Sequence, residues 1–280
     1  MTERHTWEDS ISRLLQKALS HKETYTVPIS GFSVSIHPNV YSPKYFPESK
    51  WYGQELEKLI EPGQDFLEVG VGSGIVAMHV ARAGGRVKGV DINPDAVAIT
   101  KKNFAQNGLC SEGRVVGGEP RDSSYSSASQ SPSEVNAATA AISLDSKKGH
   151  QEEHLPAADI RVSDLYTALE PSSRFHYIFW NHPWQNSSAV VKELQTEKTL
   201  DEGYKALSRY MTQGRDYLHE GGNGAVLIGT SCYADLKSLN KLAEENGYRT
   251  EVQSQGGSLL EDGTEEVYYI LRLVDLQEKP

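Results

Sequence analysis

Residues 66–92 read FLEVGVGSGIVAMHVARAGGRVKGVDI, and this succession of patterns leaves few folds open. The apolar run that closes on Glu68 and Val69 has the length of a buried strand, not of a helix. Gly70, Gly72 and Gly74 follow, and residues without a Cβ let the backbone turn tightly or approach a ligand closely. GIVAMHVARAG carries helical spacing and stops at Gly84, and RVKGVDI is a second apolar strand. A further helix, PDAVAITKKNFAQNG, opens on Pro94 and stops at Gly108. Strand, helix, strand, helix in this order requires parallel strands joined by right-handed crossovers, hence an α/β sheet covered by helices.

The alternation resumes late in the chain. DIRVSDLYTAL and FHYIFWNHPW carry two strand signals, and a long helix is predicted through TLDEGYKALSRYMTQGRDYLHEGG. GAVLIGTS is another strand, YADLKSLNKLAEENG another helix, and RTEVQSQ and EVYYILRLV a final antiparallel pair, which makes seven strands. Between the two halves, residues 112–156 are rich in Ser, Ala and Gly and lack apolar periodicity. Such a segment buries too little surface to offset its ordering entropy, so a flexible insertion is expected, with a short helix near EVNAATAAIS. His150 and His154 inside it have the i, i+4 spacing of zinc ligands. No third ligand accompanies them, so a solvated charge cluster and no metal are expected.

Ahead of the sheet, WEDSISRLLQKAL at 7–19 places Trp7, Ile11, Leu14, Leu15 and Ala18 on one helical face, with Thr6 and Asp9 spaced as a capping box. YTVPISGFSVSIHP predicts a β-hairpin about Gly31, and NVYSPKYFPESKWYGQELEKLI an aromatic loop running into an amphipathic helix. Residues 1–60 therefore form a small cap and 61–280 the main domain.

The 280 residues include 28 basic and 38 acidic ones, a net charge of −10. No basic run is denser than DSKKGH at 145–150, which disfavours nucleic acid and points to a protein or small-molecule partner. No window is apolar enough to span a membrane. The polar N-terminus and the two cysteines, Cys110 and Cys232, fit neither a secretory leader nor a disulfide framework, so a cytoplasmic location is expected. The oligomeric state is left open.

The glycine spacing carries chemistry. It is G-x-G-x-G with Glu68 two residues ahead, whereas the dinucleotide fingerprint would need glycine at Ile75. Asp91 ends the next strand, where a carboxylate can accept from both hydroxyls of a ribose; a turn or cap before Asn93 and Pro94 is the alternative. The strand YIFW then stops in Asn181, His182, Pro183 and Trp184, an unusual set for a simple turn.

Glu68-Val-Gly-Val-Gly-Ser-Gly74 followed by VDINP resembles motifs I and II of class I S-adenosylmethionine-dependent methyltransferases. The resemblance implies a Rossmann-like seven-stranded sheet with S-adenosyl-L-methionine as cofactor. It implies that Glu68 orders the loop and meets the cofactor's amino-acid end, that Asp91 holds the ribose, and that Ile92 touches the adenine. Asp164 in VSDLY falls where the family carries an acid beside the adenine; read alone, it is a helix N-cap before LYTAL. Asn181-His-Pro-Trp184 resembles the (N/D)-P-P-(Y/F/W) motif of enzymes that methylate planar nitrogens. The HemK-like release-factor glutamine methyltransferases are the nearest group, over most of 60–110 and 158–280. The family has proline where this chain has His182, and its downstream DGG is replaced by LDEGYKAL.

That motif's residue types suit the reaction. A planar amide or amino nitrogen has a delocalised lone pair. The Asn181 side-chain oxygen and the His182 carbonyl can take its two N–H groups and align the lone pair with the S–CH₃ bond. Pro183 biases His182 toward extended backbone, and Trp184 can stack on a flat acceptor. The expected acceptors are a protein side-chain amide, then a small nitrogenous metabolite, then an RNA base. A nicotinamide-dependent oxidoreductase and a non-catalytic cofactor-binding subunit are the readings of other classes. The loop YSPKYFPESKW is a possible cofactor cover, with Tyr45 and Phe46 equally explained as packing for the cap.

Overall fold

The computed structural model describes residues 3–109, 158–187, 192–194, 196, 198–221, 224–260 and 263–276. The predicted insertion at 112–156 and its two histidines lie outside them. Two strands, β1 (Tyr25–Ile29) and β2 (Phe32–Ile36), form the expected hairpin, closed by Ser30 and Gly31 at positive φ. The main sheet holds β3 (Asp65–Val69), β4 (Arg86–Asp91), β5 (Asp159–Val162), β6 (Tyr177–Asn181), β7 (Ala225–Ser231), β8 (Tyr248–Leu259) and β9 (Glu265–Asp275). Their spatial order is β5-β4-β3-β6-β7-β9-β8, parallel except for β9, which runs antiparallel to both β7 and β8. The seven-stranded α/β sheet with an antiparallel end pair is thus as predicted.

Period-two alternation divides the core between the two faces of this sheet. Phe66, Tyr177, Phe179, Ala225 and Leu227 point to one face, where they pack against α2 (Glu48–Leu59), α3 (Ile75–Arg82), α4 (Pro94–Gln106) and the hairpin. Leu67, Val69, Ile178, Trp180, Val226 and Ile228 point to the other, against α5 (Lys205–Gly214) and α6 (Leu236–Glu245). By this phase Glu68 and Asn181 lie on the α2–α4 side. The first helix, α1 (Glu3–Leu19), buries Trp7, Ile11, Leu14 and Leu15 in a smaller cluster with Phe46, Leu194 and Leu260.

Three local expectations are corrected. The first helix begins by Glu3, so Thr6 and Asp9 lie inside it and are no capping box. The predicted long helix after 199 is broken: Gly203 and Tyr204 take positive φ, and the Asp201 carboxylate caps α5 by accepting the Ala206 and Leu207 N–H groups at 3.0 and 2.9 Å. Strand β8 extends four residues past the predicted run, through Gly256 and Gly257 to Leu259, because β9 pairs with it that far.

Candidate active site

The chain moves outward from β3 to β4 and β5, then returns to place β6 on β3's other side. That reversal opens a crevice beyond the carboxyl ends of β3 and β6, the position at which open α/β sheets bind ligands. A cleft of about 380 Å³ occupies it, lined by the β3–α3 turn, Asp91, Ile92, Asp164 and Asn181 to Gln185. Trp7, Ile11, Tyr41, Phe46, Glu48 and Glu266 also line it. Of the residues assigned from the sequence to the cofactor and the acceptor corner, all line this one cleft except Gly74, which caps the start of α3; of the possible cover loop, Phe46 lines it and Tyr45 does not.

The glycine turn is held from several directions. Gly70, Gly72 and Gly74 have φ of +67, +54 and +81°, a region costly for any residue with a Cβ. A Cβ on Gly70 would also lie 2.9 Å from the Trp180 indole nitrogen, and one on Gly74 2.7 Å from Thr100 Cγ2. Thr100 donates to the Gly72 carbonyl at 3.0 Å. Asn103 donates to the Ser73 and Ser35 carbonyls, both at 2.8 Å, while its own carbonyl accepts the Ser35 N–H at 2.8 Å. One buried amide on α4 thereby joins the hairpin to the turn.

Asp91 completes this frame. Its two carboxylate oxygens accept the Gly72 and Asn93 N–H groups, each at 2.9 Å, so it braces the turn from the end of β4. The helix-cap role belongs to Asn93, which accepts the Asp95 N–H ahead of Pro94. Ile92 beside it is 68 % exposed at the rim of the cleft. Glu68 is 4 % exposed, and its Oε2 has no hydrogen-bond partner among the described residues. Burial pushes its pKa well up, opposed by a hydrogen bond with the Ala77 backbone and reinforced by the Asp91 charge. An unpaired buried carboxyl oxygen facing a cleft is what a cationic ligand group would satisfy. Glycine turn, Glu68, Asp91 and Ile92 thus suit, in one line, an ammonium-bearing, ribose-bearing and planar ligand.

Asp164 is placed otherwise than its helix-cap reading required. No helix starts there; Leu165 takes φ +51°, and Arg209 of α5 grips the carboxylate at 2.9 and 3.3 Å. At the end of β6, the Asn181 side-chain oxygen accepts the Trp184 indole N–H at 3.1 Å. Trp184 is half-buried, 6.4 Å from the Tyr268 ring, and its carbonyl accepts from the Tyr204 hydroxyl at 2.7 Å. The His182 ring is 2 % exposed and lies between Trp180 and Tyr204, with no hydrogen-bond partner for either nitrogen among the described residues. Burial lowers its pKa to about 3, against weak opposition from the Pro183 backbone, so the ring is neutral at neutral pH.

The sequence reading passed over Trp7, Glu48 and Glu266. Glu266 takes the inward phase of β9, in step with buried Tyr268 and Ile270. An acid in the apolar phase of an alternating strand was the available signal. Glu48 follows Pro47 at the start of α2, where an acid is ordinary helix chemistry and carries no such signal. At the far end of the sheet, Asp65, His176 and His219 bring one ligand atom each within 4.8 Å of one another, although no metal was expected. There the Asp65 carboxylate already binds Arg86 in two-pronged fashion, and His176 Nδ1 accepts the Asp65 N–H at 3.0 Å.

The family profile described as Ribosomal protein L11 methyltransferase (PrmA) matches residues 53–131. The ribosomal protein L11 methyltransferase of Geobacter metallireducens is 48 % identical over 67 residues, 24 % of this chain and 22 % of its own length. A putative protein N5-glutamine methyltransferase of Methanocaldococcus jannaschii is 35 % identical over 85 residues, 30 % of this chain and 41 % of its own. The chain thus spans well under half the length of these curated relatives. In structure it is similar to a T. thermophilus 16S rRNA methyltransferase solved with AdoMet and guanosine, at a TM-score of 0.53 and 16 % identity over 90 % of this chain and 50 % of that one. An M. jannaschii tRNA methyltransferase gives 0.52 and 14 % over 92 % and 59 %. The fold of this chain is the Rossmann-like class I methyltransferase fold.

Proposed function

We propose that this chain is an S-adenosylmethionine-dependent N-methyltransferase that holds its acceptor nitrogen at the corner formed by Asn181 to Trp184. The supporting observation is that Glu68, Asp91 and Asn181, from three different strand ends, border a single cleft at the sheet's switch point. When bound there, S-adenosylmethionine supplies a methyl group on an electrophilic sulfonium sulfur. Glu68 would hold the cofactor's ammonium, and that ion pair would bring its raised pKa back down. Asp91, already braced by two backbone N–H groups, would accept from the ribose hydroxyls, and Ile92 would cover one face of the adenine.

The Asn181 oxygen keeps a second lone pair beyond the one taken by Trp184, and it is the first acceptor for the substrate's N–H; the His182 carbonyl is the second. Two fixed acceptors orient the nitrogen lone pair and offset the positive charge that develops there. The neutral, enclosed His182 ring takes no proton in this scheme; its side chain shapes the floor of the corner. A protein side-chain amide is the first acceptor class, ahead of a small nitrogenous metabolite and an RNA base, and the working location is cytoplasmic.

Thermal denaturation with S-adenosylhomocysteine and, separately, NADH at equal concentration tests the cofactor, since a ligand that binds only the native state raises its stability. Stabilisation by S-adenosylhomocysteine is expected; a larger shift with NADH would overturn the assignment. Methyl-labelled cofactor incubated with separated protein, RNA and metabolite fractions then tests the reaction. Label is expected in one fraction and is lost with Asn181→Ala, which still binds S-adenosylhomocysteine.

A further inference from the structure

We propose that Glu48 and Glu266, both in the lining of the cleft, form a subsite for an alkylammonium group carried by the methyl acceptor. This inference rests on the N-methyltransferase reading and adds a substrate class to it. Both side chains line the cleft and both are 1 % exposed. Among the described residues Glu48 Oε1 has no hydrogen-bond partner, while Glu266 accepts from the Trp7 indole N–H at 2.6 Å and the Tyr268 hydroxyl at 2.9 Å. Among the described residues the groups acting on these carboxyls are Tyr41, Trp7, Tyr268 and, for Glu48, the charge of Glu266; no cation is among them.

Two adjacent buried acids without a counter-ion are unfavourable in the free protein. Burial and the Glu266 charge push Glu48 up to about 8, and burial pushes Glu266 up as well, with Trp7 and Tyr268 opposing. Two buried carboxyls this close resist ionising together, so a single negative charge on the pair is favoured over two, which suits a monocation. The surroundings select for an alkyl cation: Tyr41 and Phe46 stack at 4.3 Å, and Trp7 and Ile11 complete an apolar wall. Aromatic faces attract cations, and the apolar surface accommodates a methylene stem. Glu48 opens α2 and Glu266 lies on β9, whereas the cofactor's acid, Glu68, lies on β3. A lysine side chain and a free aliphatic amine share this chemistry.

The test uses the full chain saturated with S-adenosylhomocysteine, titrated at millimolar concentration with n-butylammonium chloride, butyramide or Nα-acetyl-lysine methylamide, and followed by tryptophan fluorescence and thermal denaturation. Butylammonium is expected to raise the melting temperature and perturb Trp7 fluorescence, and butyramide to do neither. Glu266→Gln and Glu48→Gln, near-isosteric changes, each weaken the ammonium at least fivefold while S-adenosylhomocysteine affinity stays within twofold of wild type. Tighter binding of the lysine derivative than of butylammonium identifies a protein side chain as the source, and the reverse a free amine. Equal binding of butyramide and butylammonium would overturn the inference, as would ammonium binding that survives both substitutions. A tenfold loss of S-adenosylhomocysteine affinity in either variant would assign the pair to the cofactor instead. Failure of wild type to bind S-adenosylhomocysteine would instead refute the underlying methyltransferase reading.

Discussion

Replacing Glu48 by Gln should change how the stability of this protein depends on pH. Burial and the charge of Glu266 move the Glu48 pKa from 4.5 to about 8. A carboxyl that holds its proton more tightly in the folded chain stabilises the fold fully below 4.5 and loses that contribution as pH rises through 8. Each pH unit inside this window costs ~1.4 kcal/mol. Integrated between pH 5 and 8, the loss is about 3–4 kcal/mol, because the group is not fully titrated at either limit. Glutamine keeps the shape and an acceptor for Tyr41 but carries no proton equilibrium. Glu68 and Glu266 are pushed in the same direction and steepen the wild-type curve, so the difference between wild type and variant isolates Glu48. Urea unfolding of both proteins at half-unit steps from pH 5 to 8.5 measures it. Relative to wild type, Glu48→Gln should gain about 4 kcal/mol across the series, or roughly 5–10 °C in melting temperature. Parallel curves would mean that Glu48 ionises as it does in water, and the description of a buried, unpaired acid would be wrong.

His182→Leu should act on the opposite limb. A folded pKa near 3, against an ordinary 6.5, gives stability that is present above 6.5 and lost as pH falls toward 3. The variant should therefore gain roughly 2–3 kcal/mol on wild type between pH 6 and pH 4 in the same assay. Gly70→Ala meets both a φ of +67° and the Trp180 indole, so a loss of about 1–3 kcal/mol is expected. Gly108→Ala shares the positive φ at +64° but has open space around it, and should lose only about 1 kcal/mol; equal losses would show that the Trp180 contact is immaterial. Asp91→Ala removes the acceptors of the Gly72 and Asn93 N–H groups, and calorimetry should record at least a tenfold fall in S-adenosylhomocysteine affinity.

The sheet and one half of the cleft were legible in the sequence because both are written in local pattern. Strand β3, its glycine turn, α3, β4 and Asp91 are contiguous, and their periodicities and turn residues act over a few positions. The role of Asp91 in bracing the turn was not legible, since its Gly72 contact joins two strand ends nineteen residues apart. The same holds more strongly for Glu266, whose partner Trp7 lies 259 residues away. Trp184 reads as a stacking platform in isolation, but its neighbours show that its indole N–H is spent on the Asn181 oxygen. Of the two readings of Asp164 only the cap fails: no helix starts there, and Arg209, forty-five residues later, holds the carboxylate. Helix α5 was overextended because helical periodicity persists through Tyr204, whereas Gly203 and the Asp201 cap set its true start.

The distribution of unpaired polar atoms argues that the cleft, and not the core, is where stability has been given up. Among the described residues seven buried side-chain N or O atoms have no partner. Four of them belong to Glu48, Glu68 and His182, all of which line the cleft; the other three are scattered over Ser30, His79 and Thr230. Unsatisfied groups of this kind each cost about 1–3 kcal/mol in a folded chain. A random scatter of packing faults would not gather at the mouth of the sheet's switch point. A ligand that brings cations to Glu68 and Glu48 would satisfy two of these atoms at once, and its binding free energy would then carry a large electrostatic share. Binding of S-adenosylhomocysteine should accordingly weaken when Glu68→Gln removes the charge, with the variant's unliganded stability rising above that of wild type at pH 8. A variant less stable than wild type at that pH would show that Glu68 is paired within the protein, and that its cleft position has no bearing on a cationic ligand.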